Sequence, residues 1–178
     1  SSESYREIVK IIDQFKPDIM HVHNYKYLLS PSIFAAAKDK GVKSCLTLHN
    51  YRLICPAGQF LCDNNICEDC LDGFPYRMLW RKCGPDTIEK KIAQLYLHIK
   101  TKKRKLLVPW VDGFICLSTF AKKKYIQVGI PNNKLFCKPN FFKDPLNGQE
   151  IKLNGDGAVF IGRLSKEKGV ETLLKSWK

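Results

Sequence analysis

A chain of 178 residues, 44% of them hydrophobic, can bury a sizeable core, which excludes a disordered polypeptide and leads one to expect a full domain plus part of another. No apolar run approaches the ~20 residues that span a bilayer, and the opening Ser-Ser-Glu-Ser-Tyr-Arg-Glu lacks the apolar core of a signal peptide. The chain therefore reads as cytoplasmic and carries a formal net charge of +13; as it does not begin with Met, an upstream segment is expected.

In chain order, Tyr5, Ile8, Val9, Ile12 and Phe15 recur at helical spacing, and Pro17-Asp18 ends that helix. Residues 19–23 read as a short buried strand. Ser30 followed by Pro31 marks a helix start, 33–40 is the helix and Gly41 its stop. Residues 42–48 form the next strand. After an irregular insertion over 51–85, Asp86-Thr87-Ile88-Glu89 makes a capping-box-like start to a helix that must end before Pro109. Residues 113–117 are a strand, Ser118 caps a helix over 119–128, Gly129 closes it, and 134–138 is a further strand. Pro145, Asn147-Gly148 and Asn154-Gly155 mark 141–156 as an inter-domain linker. Residues 158–161 then read as a strand that passes through Gly162-Arg163 into a last helix.

Strands alternating with helices predict an α/β fold, a mainly parallel sheet with helices on both faces. Ligands are then expected beyond the carboxyl ends of the strands. The polar residues there are His23 and Asn24, His49 and Asn50, Ser118 and Thr119, Asn140, and Gly162 and Arg163. His49 reads either as a site residue or as a core histidine satisfied by backbone; His21 reads as structural.

Residues 77–105 hold ten Lys or Arg against Asp86 and Glu89, ending in Lys102-Lys103-Arg104-Lys105. Three readings stand: a solvated helix face, a nucleic-acid surface, or an anionic membrane surface into which Leu106, Leu107, Val108 and Trp110 could dip. The run has no interleaved aromatics and no nucleic-acid-binding signature accompanies it, so nucleic acid is not the expected partner. The insertion holds five of the eight cysteines, with Cys67-Glu68-Asp69-Cys70 as a knuckle. In a reducing cytosol such clustering points to metal, and thiolates at about 2.3 Å suit tetrahedral zinc; free thiols, an iron–sulfur centre and a disulfide remain alternatives. Cys45, Cys116 and Cys137 lie in strands and read as small buried hydrophobes.

The turn at the end of the chain, Gly162-Arg163-Leu164 continuing to Lys168-Gly169, pairs fixed positive charge with a close backbone approach and a helix N-terminus, which favours an anion. The string resembles the Gly-Arg-Leu-x-x-x-Lys-Gly signature of retaining glycosyltransferases of family 4, which have the GT-B fold of two Rossmann-like domains. Pro17-Asp18-Ile19-Met20-His21-Val22-His23, Thr47-Leu48-His49-Asn50, Leu117-Ser118-Thr119, Gly129-Ile130-Pro131 and Lys138-Pro139-Asn140 resemble other blocks of the family. Asn50 departs from the commoner Asp, and Phe141 from the usual Gly after Pro-Asn.

The resemblance implies sugar transfer, with retention, from a nucleotide-diphospho-sugar to an acceptor, a lipid-linked glycan or a cell-surface polysaccharide precursor among them. It places His49 beside the donor sugar, Arg163 and Lys168 on the diphosphate, and Gly162 and Asn140 in the donor site; His23, Asn24, Asn50 and Ser118 are expected on the acceptor side. No catalytic metal is implied, because Arg and Lys neutralise the phosphates. Relatives with a similar insertion imply Cys55, Cys67, Cys70 and Cys83 as zinc ligands, with Cys62 spare. The domains expected are 1–140, Rossmann-like and incomplete at its start; the linker 141–156; and the start of the nucleotide-sugar domain, 157–178. Such a piece is expected to be inactive alone and to sit in the cytoplasm, peripheral on the inner membrane face. The rival expectation is a non-catalytic, zinc-stabilised module binding nucleic acid or an acidic partner. A hydrolase of the Ser-His-Asp type is excluded by the lack of a Gly-x-Ser-x-Gly turn.

Overall fold

The computed structural model describes residues 2–26, 28–63, 65–72, 75–144, 147–148, 157–165 and 168–177. It divides into two compact units, Ser1–Asn140 and Phe141–Lys178.

The first unit is built on four parallel strands, β1 (Ile19–Val22), β2 (Lys43–Leu48), β5 (Gly113–Cys116) and β6 (Leu135–Cys137), paired in that order. The in-register partners Val22 with Leu46, Leu48 with Cys116 and Cys116 with Cys137 bring all four carboxyl ends to one edge. β2 and β5 lie inside the sheet and are buried along most of their length, as the two covered faces of a parallel sheet require. β1 and β6 are only partly covered, which leaves Phe136 and Cys137 exposed; Cys137 is thus not the buried hydrophobe its strand position suggested, whereas Cys116 is.

Helices cover this sheet. α1 (Ser2–Phe15) turns Ile12 inward and packs on α2 (Ser32–Asp39), whose Ile33, Phe34, Ala36 and Ala37 are all but fully buried. Ser30 accepts the Ser32 amide at 3.4 Å at the start of α2, and Gly41, at φ +70, ends it. α5 (Thr119–Gln127) begins where Ser118 Oγ accepts the Ala121 amide at 3.1 Å, and Gly129 at φ +95 releases the chain toward β6. At the amino edge the Asp112 carboxylate accepts the Ser44 amide at 2.9 Å and Lys43 Nζ at 3.1 Å. Burial alone would raise that acid, but these donors together hold it below the usual carboxylate range.

The insertion leaves β2 and folds onto the same core. A short hairpin, β3 (Leu61–Cys62) and β4 (Asn65–Ile66), runs into one helical turn, α3 (Asp69–Asp72), and a 3-10 segment at Pro75–Leu79. Leu53, Ile54, Cys55, Phe60 and Leu71 join the core cluster around Phe114 and Tyr125. Tyr51 lies 4.4 Å from Phe60 between ring centroids and 6.3 Å from Tyr125, and Glu68 pairs with Lys124 of α5.

α4 (Ile88–Lys103) starts at Thr87, but the side chain there makes no capping hydrogen bond, so the expected capping box is not closed. Past α4 the backbone takes positive φ at Lys105, Leu106 and Leu107. This left-handed turn drives Leu106 and Leu107 into the core, Leu107 being 0% exposed, and Val108 and Trp110 pack against it. Leu106 and Leu107 are therefore not available to dip into a membrane, contrary to the sequence expectation, and Val108 and Trp110 are partly covered.

In the second unit α6 (Val170–Ser176) follows Gly169, which sits at φ +71. Residues 157–165 form no strand, although 158–161 has strand composition: an extended segment becomes a strand only with a neighbour to share its hydrogen-bond ladder. Among the described residues of this unit none supplies one, and Val159, Ile161 and Leu164 are exposed.

Candidate functional site

The residues just past β1 and β2 meet in a cleft of about 250 Å³ at the carboxyl edge of the sheet. His23 Nδ1 and His49 Nε2 stand 2.6 Å apart, one donating and the other accepting according to tautomer. His21 is 4.4 Å from His23 between ring centroids and hydrogen bonds Thr47 Oγ1 through Nε2 at 2.8 Å. Burial, then the nearby His23, Lys138 and His49, lower the pKa of His21, which keeps it a neutral prop for the pair.

Asn50 Nδ2 donates to Asn24 Oδ1 at 3.4 Å, and Asn50 Oδ1 accepts the Arg52 amide at 3.1 Å. Tyr125 of α5, fully buried, donates its hydroxyl to the Asn50 carbonyl at 2.8 Å and so locks the end of β2 against the helix. His23, Asn24, His49 and Asn50 therefore line one cleft. Ser118 does not line it, and its hydroxyl is engaged in capping α5. Asn140 is exposed at the end of the first unit. Gly162, Arg163 and Lys168 belong to the second unit, where Ser165 N donates to Arg163 O at 2.9 Å and Lys168 N to Ser165 O at 2.9 Å, a tight turn before α6. A Cβ on Gly162 would come 3.3 Å from the Phe160 ring, so a side chain there would crowd the turn.

Three residues that sequence reasoning did not single out shape the cleft. Lys26 Nζ donates to the Arg52 carbonyl at 2.6 Å, and burial, then Arg52, bring its pKa down to about 8. Tyr25 is 7% exposed, its hydroxyl lacks a hydrogen-bond partner, and burial pushes its pKa up to about 12. His98 of α4 lies close to Lys26, 1% exposed; neither ring nitrogen is in good hydrogen-bond geometry, although the Arg52 backbone is near enough to favour the charged ring slightly. Burial, followed by Lys102 and Lys26, brings its pKa down to about 3. Only the placement of Lys26 three residues beyond the histidine motif hinted at any of this; burial at His98 is a tertiary fact.

A second assembly lies in the insertion. Cys55, Cys62, Cys67, Cys70 and Cys83 all line one void of about 10 Å³, together with Pro56, Ala57, Leu61 and Met78. Cys62 and Cys83 hydrogen bond to each other, so Cys62 stands within the cluster. Arg81 Nη1 donates to Cys67 Sγ at 3.5 Å while its Nη2 pairs with Asp69 at 2.7 Å. Burial, then neighbouring thiols, push Cys83 up to about 12 and Cys70 up to about 11. Among the described residues no three His, Cys, Asp or Glu side chains stand ready-made to hold a metal ion. The donor set nonetheless suits a soft divalent ion: thiols only, around a space the size of one small ion.

A parallel sheet with helical cover and a polar cleft at its carboxyl edge defines a Rossmann-like domain of the kind that binds substrates at that edge. The profile of Glycosyltransferase Family 4 matches residues 2–143, and the chain belongs to that family. It is thus a glycosyltransferase-type domain, with a sugar donor and an acceptor as its general partners. Searches of curated proteins and of solved structures returned no match. Among the described residues no helix is long and apolar enough to cross a membrane.

Proposed function

We propose that the chain carries the acceptor-side domain and the start of the donor-side domain of a retaining glycosyltransferase that moves a sugar from a nucleotide-diphospho-sugar to a glycan or lipid-linked acceptor. Family membership supports the class, and the His23–His49 pair in the cleft is the observation that carries the reading. In it, His49 lies beside the donor sugar, and the 2.6 Å bond to His23 fixes the orientation of its ring. Arg163 and Lys168 hold the diphosphate, with the Gly162 backbone close by and Asn140 at the domain junction. The acceptor oxygen attacks from the face that the nucleotide leaves, the sugar–oxygen bond to the diphosphate breaks as the new glycosidic bond forms, the acceptor's hydroxyl proton passes to the departing diphosphate, and the charge developing there is what the protein must stabilise. No catalytic metal is needed.

The test is donor kinetics in the full-length enzyme. Arg163→Ala and Lys168→Ala are each expected to lower kcat/KM for the nucleotide-sugar by about 10- to 100-fold through loss of a charge-assisted contact, with the fold intact. Unchanged donor kinetics in both variants removes the clamp.

Two further features belong to the same reading. A structural zinc held by Cys55, Cys67, Cys70 and Cys83 orders the insertion; the convergence of the thiols on one void supports it. Peripheral attachment to the inner face of a membrane is supported by α4, where Ile88, Ile92 and Tyr96 form an exposed apolar stripe at helical spacing among Lys90, Lys91, Lys100 and Lys103.

A further inference from the structure

The cleft at the ends of β1 and β2 holds cationic and donor groups that sugar transfer by the histidine pair does not use. No Asp or Glu lines it, yet Lys26 and Arg52 do. The Lys26 ammonium gives one hydrogen bond to a neutral carbonyl, and among the described residues no carboxylate pairs with it. Beside it on the same wall, Tyr25 is more than nine-tenths buried with a hydroxyl that meets no acceptor, near the cationic Arg104. A partly buried cation is ordinarily paired, and a buried hydroxyl ordinarily bonded, because each loses water on folding. Both residues line the one cleft.

We infer that this cleft is a phosphate subsite, in which Lys26 supplies the charge and Tyr25 a hydrogen bond to a phosphate or diphosphate carried by the acceptor. Lys26 suits phosphate better than carboxylate: an ammonium is a point charge with three rotatable donors, whereas planar carboxylates favour the guanidinium fork. A volume of about 250 Å³ leaves room for a phosphate with part of an attached sugar, within reach of the His23–His49 pair. The identity of the phosphate's carrier rests on the acceptor-side reading given above. The same chemistry has a second source in the donor diphosphate, which that reading assigns to Arg163 and Lys168.

Calorimetric titration with inorganic pyrophosphate tests the subsite without requiring any sugar transfer. In the full chain carrying Arg163→Ala and Lys168→Ala, saturable binding is expected to persist, and adding Lys26→Met is expected to weaken it about tenfold or more, with Tyr25→Phe a smaller loss. Reductive methylation of the unsubstituted chain gives a readout independent of variant folding: pyrophosphate should protect Lys26. For the source, Lys26→Met alone should leave nucleoside-diphosphate affinity unchanged. Equal pyrophosphate affinity with and without Lys26, or Lys26 methylated equally with and without pyrophosphate, overturns the subsite. Equal losses for pyrophosphate and nucleoside diphosphate in Lys26→Met overturn its assignment to the acceptor. Normal pyrophosphate binding in a protein that transfers no sugar leaves the subsite standing and removes the catalytic reading instead.

Discussion

His98 shows how one side chain can set the acid limit of the fold. An unfolded histidine titrates near pH 6.5, whereas burial at 1% exposure beside Lys26 and Lys102 brings the folded value to about 3. Between those values the unfolded chain binds more protons than the folded one. The stability that a neutral His98 allows is therefore complete above about pH 6.5 and lost as pH falls toward 3, at up to about 1.4 kcal/mol per pH unit. His98→Leu keeps the apolar packing and removes the titration. Chemical denaturation at several pH values should show the parent losing stability faster than His98→Leu below pH 6.5; parallel profiles would show that the ring is not the acid-sensitive group. The residue scale is also where sequence reading was weakest. His23 and His49 are legible because strand ends and a motif flag them, but the burial of Lys26, Tyr25 and His98 comes from tertiary packing, and nothing in their local pattern signals that.

At the scale of elements, the insertion and α4 each invite a direct measurement. Protein purified without chelator should contain about one zinc per chain, and removing it should destabilise the fold. A site saturated a thousandfold above its dissociation constant contributes about 4 kcal/mol, or roughly 10 °C in Tm for a chain of this size. Cys70→Ser should abolish zinc binding, whereas metal-free protein with five reactive thiols and an unchanged Tm would remove the metal. For α4, flotation with vesicles should increase with anionic lipid and fall with salt. Replacing Ile92 and Tyr96 by Ser should weaken it as much as neutralising Lys100 and Lys103 does, because both stripe and charge face outward. Equal binding to neutral vesicles, or tighter binding to duplex DNA, would count against a membrane face. The strands and helices of the sheet were legible to within a residue or two from apolar runs and the Gly41 and Gly129 stops. Two elements were not: Leu106 and Leu107 reversed from surface to core through a left-handed turn of non-glycine residues, and 158–161 lacked a partner strand.

On the scale of the whole molecule, the two units differ in how much apolar surface they cover. The first closes a core around Phe34, Phe114 and Tyr125, all at 0% exposure, while the second leaves Val159, Ile161, Leu174 and Trp177 exposed. Hydrogen exchange should follow that contrast, with slow exchange in β2 and β5 and fast exchange after Asn140. Strong protection in 157–177 would overturn that contrast.

The register of the sheet carries a kinetic consequence. β2 meets β5 only after the chain has run through the insertion and α4, so that the Ser44 amide finds the Asp112 carboxylate 68 residues away. Closing a loop of that length costs entropy before any pairing compensates, and parallel sheets fold slowly for this reason. An insertion that collapses early through its own Leu53, Ile54 and Phe60 shortens the effective tether. Order in the insertion is then expected to set how quickly the central strands find each other.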